Sequence, residues 1–202
     1  YLRENLWPDT LVHWLAPTPD APEPKPSFYE QGRVIGGGSS VNAMVALRGL
    51  PEDFVEWTAM GATGWSWTDV EPFYRRLEHD LDFADDNHGH DGPIPVRRHA
   101  RSDWPPFVEA VARELESRGY RYIDDLNAGQ RDGFGRIPMT SLATQRVSSA
   151  MGYLDREVRD RPNLRILAMT QVSALAMEGR RVTGVVTRRG ERTDTYHAHE
   201  VI

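Results

Sequence analysis

The sequence predicts a mixed fold of helices and strands, of the α/β class with α+β character. Apolar residues recur at helical spacing in the segments 68–81 and 105–118, and again after Ser148. Beyond residue 163 the apolar residues alternate with polar ones, which is the period of a β-strand. This order of elements is compatible with many folds. The sequence motifs are therefore needed to decide among these folds.

The first 26 residues are predicted to form an extended, irregular loop. Six of the fourteen prolines lie there, at positions 8, 17, 19, 22, 24 and 26. Proline fixes φ and has no N–H to donate, so a helix cannot pass through such a segment. We therefore expect this region to run over the surface of the protein.

Two amphipathic helices are predicted in the middle of the chain. The first spans residues 68–81, with Thr68 as its N-cap and Pro72 in its first turn. The second spans residues 105–118 and ends at Gly119, and its apolar face is expected in the core. The apolar faces consist of Val70, Phe73, Tyr74, Leu77 and Leu81 in the first helix, and of Phe107, Val108, Val111 and Leu115 in the second.

The C-terminal part of the chain is predicted to be one helix followed by strands. The helix begins at Ser148 or Ser149 and has to end before Pro162, because a residue that precedes proline disfavours helical backbone. Turns at 178–180 and 189–191 separate the strands that follow. The four predicted strands contain Leu164 and Ile166, then Val172, Ala174 and Ala176, then Val182 and Val185, and finally residues 196–202.

Residues 32–42, which read GRVIGGGSSVN, form the most informative motif of the chain. The three glycines at 36–38 tolerate positive φ and leave the backbone open to close approach. Backbone N–H groups, together with the hydroxyls of Ser39 and Ser40, are donors suited to a phosphate or to a conjugated ring that carries carbonyl groups. The motif therefore predicts either a loop that binds a nucleotide cofactor or a plain glycine turn.

Three common loop motifs do not fit this segment. A phosphate-hydrolase loop needs a lysine directly before the serine or threonine, and here Gly38 precedes Ser39. A GxGxxG dinucleotide fingerprint follows a hydrophobic strand, whereas Gly32 follows the polar run 29–31. A serine-hydrolase elbow requires glycine two residues after the serine, and Val41 occupies that position.

Composition excludes several classes of function. The formal net charge of -6 and the pI of about 5.6 argue against nucleic acid as a partner, because such binding needs a basic surface. The sequence has no cysteine, which excludes disulfides and thiolate metal sites. No apolar run reaches the length of about eighteen residues that a transmembrane segment needs. The expected location is the bacterial cytoplasm.

Histidines close to carboxylates raise the question of a metal site. An acidic segment carries His88 and His90, but the acidic spacing of a calcium loop is missing. We expect this segment to be a solvated polar loop ahead of a strand over 94–96. His197 and His199 lie two residues apart in the predicted last strand and are expected on an exposed face. We therefore predict no metal site.

The segment 32–54, GRVIGGGSSVNAMVALRGLPEDF, resembles the signature of the glucose, methanol, choline (GMC) family of FAD-dependent oxidoreductases. The resemblance continues from Trp14 to the C-terminus. Three positions depart from the family pattern: Gly38 replaces a serine, Ala46 stands where an aromatic residue is usual, and Val55 stands where a polar residue is common. Further blocks that resemble the family, in the family's order, are 64–78, 88–96, 124–135 and 148–167.

This resemblance implies two domains that are threaded through each other. Residues 1–96 would belong to the FAD domain with its flavin-facing loop, residues 97–147 to the substrate domain, and residues 148–202 would return to the FAD domain as a helix and a β-meander. For Asn42, the N-cap of a helix that begins near Ala43 is an alternative. The FAD contacts that the resemblance implies are Gly37, Gly38, Asn42, Ala43 and Val45 at the flavin, and Val172 at the adenine.

The resemblance also implies an enzyme that oxidises a primary alcohol to an aldehyde by hydride transfer to FAD. In such enzymes a histidine takes the hydroxyl proton. We expect that histidine, and the GxGxxG strand for the ADP half of FAD, in the remainder of the same polypeptide, so no residue of this chain is predicted to be catalytic. The predicted partners are a small-molecule alcohol and that remainder. The alternatives are a flavin-containing hydroxynitrile lyase of the same fold and a non-catalytic fragment.

Overall fold

The computed structural model describes residues 3–20, 22–128 and 132–202. The chain divides into two compact units, one that extends to Asp155 and one that runs from Arg156 to Ile202. Helices and strands are both present, which confirms the predicted mixed fold. Among the described residues, no helix combines the length and the apolar composition that crossing a membrane requires.

The N-terminal segment is mostly irregular, as its prolines predict. It begins with a 3₁₀ turn over Arg3–Asn5. Two short strands, β1 (Leu11–Val12) and β2 (Ser27–Phe28), form an antiparallel pair. Leu6 is the part of this segment that reaches the core, with only 4% of its surface exposed.

The first helix, α1 (Pro51–Ala59), is an element that the sequence analysis missed. Its start is favoured by a proline at the first helical position and by Asp53, whose carboxylate accepts a hydrogen bond from the Leu50 N–H at 2.8 Å. Phe54 is buried, with 3% of its surface exposed. It packs against the aromatic rings of Trp57, Trp67 and Tyr74.

The second helix, α2 (Trp67–Leu77), is the first predicted helix, but its ends differ from the prediction. Ser66, rather than Thr68, is the N-cap. Its hydroxyl accepts a hydrogen bond from the Asp69 N–H at 3.3 Å, and the Asp69 carboxylate accepts one from the Ser66 N–H at 3.0 Å. This reciprocal capping box places Thr68 inside the helix. Pro72 consequently lies in the second turn rather than the first.

Two parallel strands, β3 (Glu78–Asp80) and β4 (Ile94–Val96), follow α2. The predicted strand over 94–96 is confirmed, whereas the predicted helix end at 81 is wrong because β3 begins at residue 78. The loop between the strands packs tightly beneath the end of α2. A Cβ on Gly89 would lie 1.8 Å from the Arg75 carbonyl oxygen, and one on Gly92 would lie 2.4 Å from the Glu78 carbonyl oxygen.

The third helix, α3 (Pro106–Ser117), is the second predicted helix, and Gly119 follows it with a positive φ of 85° as expected. Its apolar face is not core in this chain, which corrects the prediction. Phe107 is 78% exposed and Val111 43% exposed, while Ala112 is 2% exposed. Only the side of the helix that carries Ala112 is covered by described residues. A parallel pair of strands, β5 (Tyr122–Ile123) and β6 (Phe134–Gly135), comes next in the chain.

The helix predicted after Ser148 is present as two short helices. Ser148 caps α4 (Ser149–Tyr153), since its hydroxyl accepts a hydrogen bond from the Met151 N–H at 3.4 Å. Leu154 then leaves the helical conformation, with φ −122° and ψ 52°. The second unit opens with α5 (Arg156–Arg159).

The second unit contains an antiparallel meander of β7 (Gln171–Glu178), β8 (Arg181–Arg189) and β9 (Arg192–His197), in that order. Both predicted turns are confirmed, and Gly179 and Gly190 adopt a positive φ of 60° in them. The predicted strand at 164–166 is wrong, because that segment has no strand partner within residues 132–202. The last strand covers 192–197 rather than 196–202.

Candidate functional site

The glycine loop, residues 36–40, begins with three residues that carry no side chain. Gly36 and Gly37 adopt positive φ of 93° and 53°, and a 3₁₀ turn follows over Gly37–Ser40. Two of the three glycines therefore use the conformational freedom that the motif predicts. An added Cβ on Gly37 or Gly38 would have no other heavy atom within 4 Å. Gly38 is exposed and Gly37 is half-buried, and both have room for an added group.

The serine hydroxyls of the loop are bonded inside the protein, which corrects the expectation that they donate to a ligand. Ser39 Oγ donates to the Gly36 carbonyl oxygen at 2.5 Å and lies 2.9 Å from Ser149 Oγ. Ser40 Oγ donates to the Ile35 carbonyl oxygen at 2.9 Å. These bonds hold the loop in shape and attach it to the start of α4.

Asn42 does not cap a helix, because residues 41–50 contain none. Its side-chain oxygen, Oδ1, accepts a hydrogen bond from the Met44 N–H at 3.0 Å and another from Arg146 Nη1 at 2.7 Å. Arg146 Nη2 donates to the Asn42 carbonyl oxygen at 2.6 Å. Capping is therefore the wrong interpretation, and Asn42 instead joins the glycine loop to an arginine far away in the sequence.

Ala43 and Val45 are exposed on either side of Met44, whose backbone adopts a positive φ of 63°. Val45 bridges to Met139, and the Thr140 N–H donates to the Met44 carbonyl oxygen at 2.8 Å. Met44 is partly covered, whereas Ala43 and Val45 are exposed, Val45 by 47%.

The structure thus places five of the six predicted FAD contacts in one continuous surface stretch of the first unit, which we call the flavin-facing stretch, residues 36–45. The sixth, Val172, lies in β7 of the second unit, where it pairs with Thr187 and is 55% exposed. The predicted strand at Val172 is confirmed. Its contact with adenine stays a prediction, as do the flavin contacts of the other five residues.

A second cluster of reactive residue types lies in the interior of the first unit, where the sequence predicts a solvated polar loop around His88. That prediction is wrong, because the side chain of His88 is completely buried. It belongs to a group of charged side chains that we call the ionic network. Its members are Arg48, Glu78, Asp80, His88, Arg98 and Asp125.

His88 lies at the centre of this network. Its Nε2 is 2.7 Å from Asp125 Oδ2, and its Nδ1 is 3.0 Å from both Glu78 Oε1 and Asp80 Oδ2. Arg98 Nη1 is 2.9 Å from Asp80 Oδ2, and its Nη2 is 3.0 Å from Asp125 Oδ1. Arg48 forms an ion pair with Glu78. Phe83 stacks on the His88 ring and lies against the Arg98 guanidinium.

These contacts decide the protonation of the network. Burial disfavours the charged form of His88, but hydrogen bonds to Asp125, Asp80 and Glu78 outweigh it and raise the pKa of His88 to about 11. Burial opposes ionisation of Asp80 and Asp125 as well. Hydrogen bonds from His88, among others, nevertheless lower the pKa of both carboxyl groups below its usual value. His88 is therefore a buried cation.

The network is better suited to ion pairing than to binding a metal. Glu78, Asp80 and His88 place ligand atoms within 4.8 Å of one another, as a metal site would. However, the three buried carboxylates already face three cations, Arg48, His88 and Arg98, and the partly exposed Asp82 also pairs with Arg98. The formal charges of the six members of the network cancel, and a divalent metal would have to displace the proton of His88 and compete with two guanidinium groups.

Asn127 connects the ionic network to the segment that follows Val45. The Asn127 N–H donates to Asp125 Oδ1 at 2.9 Å. Its side chain accepts a hydrogen bond from the Arg48 N–H and donates one to the Ala46 carbonyl oxygen, both at 3.0 Å. The amide thus bonds to the backbone as a neighbouring strand would. The network therefore supports the backbone that continues from the flavin-facing stretch.

One feature of the sequence could have indicated that His88 is buried. Gly89 and Gly92 follow His88 closely, and glycine that recurs beside a histidine indicates a loop in tight contact with other backbone. The other members of the network lie on four separate segments, around residues 48, 78–80, 98 and 125, so their convergence could not be predicted from sequence spacing. Arg48 and Asp125 are especially distant from His88 in the chain.

Three comparisons with known proteins agree on a family. Residues 22–202 match the family model for GMC oxidoreductases. The 5-(hydroxymethyl)furfural oxidase of Methylovorus sp. (strain MP688) is 44% identical over 198 residues, which cover 98% of this chain and 37% of that protein. The oxygen-dependent choline dehydrogenase of Sinorhizobium medicae (strain WSM419) is 34% identical over 186 residues, with coverages of 89% and 33%. The solved FAD-dependent oxidoreductase of Chaetomium thermophilum superposes with a TM-score of 0.81 at 26% identity, covering 96% of this chain and 35% of that one.

The chain spans about a third of the length of the curated relatives that it matches. The family match nevertheless extends over the glycine loop, the ionic network and the meander of the second unit. It starts within the proline-rich segment and continues to the last residue. The chain therefore belongs to the GMC oxidoreductase family.

Proposed function

We propose that the whole protein binds FAD and oxidises a primary alcohol to an aldehyde. The observation that carries the proposal is the flavin-facing stretch, an open backbone surface in a chain of the GMC oxidoreductase family. The names of two relatives contain 5-(hydroxymethyl)furfural and choline, and both compounds carry a primary alcohol. The higher identity to the furfural oxidase favours an alcohol attached to a flat, aromatic ring as the substrate class.

The residues of the stretch fit a flavin. Gly37 and Gly38 leave room for a planar ring, because no heavy atom would crowd a Cβ at either position. Ala43 and Val45 add small, exposed apolar side chains, and the amide nitrogen of Asn42 carries two hydrogen-bond donors. We propose that these five residues hold the flavin and that Val172 contacts the adenine. When bound, FAD accepts the hydride from the alcohol carbon.

The part of this chain in the reaction is to bind and orient the flavin, not to move the proton. His88 keeps its own proton at neutral pH, because its pKa is about 11. It is also completely buried, so a substrate hydroxyl cannot reach it. We therefore propose that the base that takes the hydroxyl proton comes from the remainder of the polypeptide.

We also propose that this remainder covers the apolar surfaces that the chain exposes. Phe73 of α2 is 58% exposed and Phe107 of α3 is 78% exposed, which is costly for side chains of this size in water. The same proposal assigns residues 1–96 and 148–202 to the FAD domain and residues 97–147 to the substrate domain.

The test is to purify the whole protein and record its visible spectrum before and after anaerobic addition of 5-(hydroxymethyl)furfural. We expect a yellow protein whose flavin absorbance bleaches as the alcohol is oxidised. Choline serves as the second substrate and is expected to bleach the flavin more slowly. A colourless protein that takes up no FAD would overturn the proposal in favour of a non-catalytic role. A flavin that stays oxidised while the protein cleaves a cyanohydrin would favour the lyase.

A further inference from the structure

Arg146 holds both ends of the turn that joins the glycine loop to Asn42. Its Nη1 donates to the Ser39 carbonyl oxygen at 3.1 Å and to Asn42 Oδ1 at 2.7 Å. Its Nη2 donates to the Asn42 carbonyl oxygen at 2.6 Å. The planar guanidinium thus bonds to three oxygens within four residues of chain. An arginine has the fixed fork of donors that such an arrangement needs.

The two donors that reach Asn42 Oδ1 determine how its amide is oriented. One donor is Arg146 Nη1, and the other is the Met44 N–H at 3.0 Å. Only the oxygen of an amide can accept from them, so the amide cannot turn over without losing both bonds. The amino group of Asn42 consequently points away from Arg146.

The backbone that carries Arg146 is well anchored. Arg146 bridges to Ser141, and the Val147 N–H donates to the Thr140 carbonyl oxygen at 3.0 Å. Val147 and Ser148 are buried, with 6% and 4% of their surfaces exposed. In the described part of the chain, Arg146 has no carboxylate partner, so its hydrogen-bonding capacity is directed at residues 39–42.

We propose that Arg146 is a positioning residue for the flavin: it fixes the backbone and the side-chain amide of Asn42, and with them the flavin-facing stretch. The inference rests on the proposed function. It adds a residue that acts through Asn42 and that comes from the portion of the chain proposed as the substrate domain. Loss of the arginine leaves the Asn42 amide with one of its two fixed donors.

The test compares variants of the whole holoprotein by FAD dissociation constant and by visible circular dichroism of the bound flavin. We expect Arg146→Met to weaken FAD binding about tenfold or more, because three charge-assisted hydrogen bonds are lost. Arg146→Lys keeps the charge but not the fork, and an intermediate loss is expected. Arg118→Met is the matched control. Arg118 forms only an exposed pair with Glu114 on α3, so its removal should leave both readouts unchanged.

The second arm repeats Arg146→Met in an Asn42→Ala background, where a clearly smaller loss of FAD affinity is expected because the two residues act together. Equal losses in both backgrounds, or an Arg146→Met protein that matches wild type in affinity and dichroism, would overturn the inference and leave the proposed function standing. A wild-type protein without FAD would overturn both. Should Arg146→Met fail to fold, Arg146→Lys decides, since an unchanged dissociation constant and dichroism there contradict the positioning role.

Discussion

The flavin-facing stretch and the ionic network lie in the same unit but are built in opposite ways. The stretch consists of glycine and uncharged residues, and an added Cβ at Gly37 or Gly38 would meet no heavy atom within 4 Å beyond the neighbouring residues. The network consists of six charged side chains that bury and neutralise one another. Charged side chains and histidine, which often perform catalysis, are therefore concentrated in the network, where they are already paired with one another. The flavin-facing stretch contains no charged side chain and no histidine.

The largest expected effect is a difference in unfolding free energy between two glycine substitutions. Gly89 lies beside the ionic network, and Gly37 lies in the flavin-facing stretch. In Gly89→Ala the new Cβ would lie 1.8 Å from one backbone oxygen and 2.6 Å from another, so we expect a loss of more than about 4 kcal/mol in unfolding free energy. In Gly37→Ala there is no clash, and only the positive φ of 53° costs about 1–2 kcal/mol. Urea unfolding of the whole protein measures both, and similar losses would contradict the comparison.

The next effect distinguishes a buried from an exposed histidine. His88→Ala leaves three carboxylates facing two arginines in the interior, which we expect to cost about 3–5 kcal/mol. His90 is exposed and only two residues away, and His90→Ala should change the unfolding free energy by no more than about 0.5 kcal/mol. Equal unfolding midpoints for the two variants would show that the network does not stabilise the fold.

The pH dependence of stability follows from the same histidine. The pKa of His88 is raised from 6.5 to about 11 on folding, so above pH 6.5 the folded protein keeps a proton that the unfolded chain releases. Stability should therefore fall as the pH rises from 6.5 towards 11. His88→Gln should lack this part of the slope. A slope that is the same in both proteins would assign the alkaline loss to other groups.

The carboxyl groups of the network act at the other end of the pH range. The pKa values of Asp80 and Asp125 lie below their ordinary value of 3.8 in the folded protein. Their contribution is therefore present above pH 3.8 and is lost as the pH falls through the folded values. Measuring the unfolding free energy at acidic pH tests this expectation.

Substitutions in the flavin-facing stretch are expected to appear mainly in cofactor binding, beside the cost of the positive φ at Gly37. Gly37→Val adds bulk where the ring is proposed to lie and should remove FAD from the purified protein. Asn42→Ala should retain FAD but reduce the rate of flavin reduction roughly fivefold to tenfold. Stopped-flow absorbance measures the rate. Unchanged reduction kinetics would remove Asn42 from the proposed flavin contacts.

The parts of the structure that could be predicted from the sequence depend on local causes. The two glycine turns of the meander and the C-terminal glycine of α3 were predictable because each requires a positive φ at one residue. The glycine loop was predictable for the same reason. The ends of α2 were not, since Ser66 and Thr68 are both good caps and the choice depends on the reciprocal bond with Asp69.

The parts that could not be predicted depend on contacts between distant segments. His88 looked like a residue of a solvated loop because its partners Asp80 and Asp125 are supplied by other segments of the chain. Arg146 was missed because its contact with Asn42 spans 104 residues of chain. The apolar face of α3 was predicted as core from its periodicity, but periodicity shows which residues share a face and not whether this chain covers that face.

The buried charge of His88 also determines how the chain responds to reagents that label histidine. Diethyl pyrocarbonate reacts with an imidazole nitrogen that is both accessible and unprotonated, and His88 meets neither condition at neutral pH. The other six of the seven histidines are exposed in the chain as described. Peptide mapping after labelling should therefore find His88 unmodified beside a labelled His90. Any inactivation by the reagent would then be due to histidines other than His88.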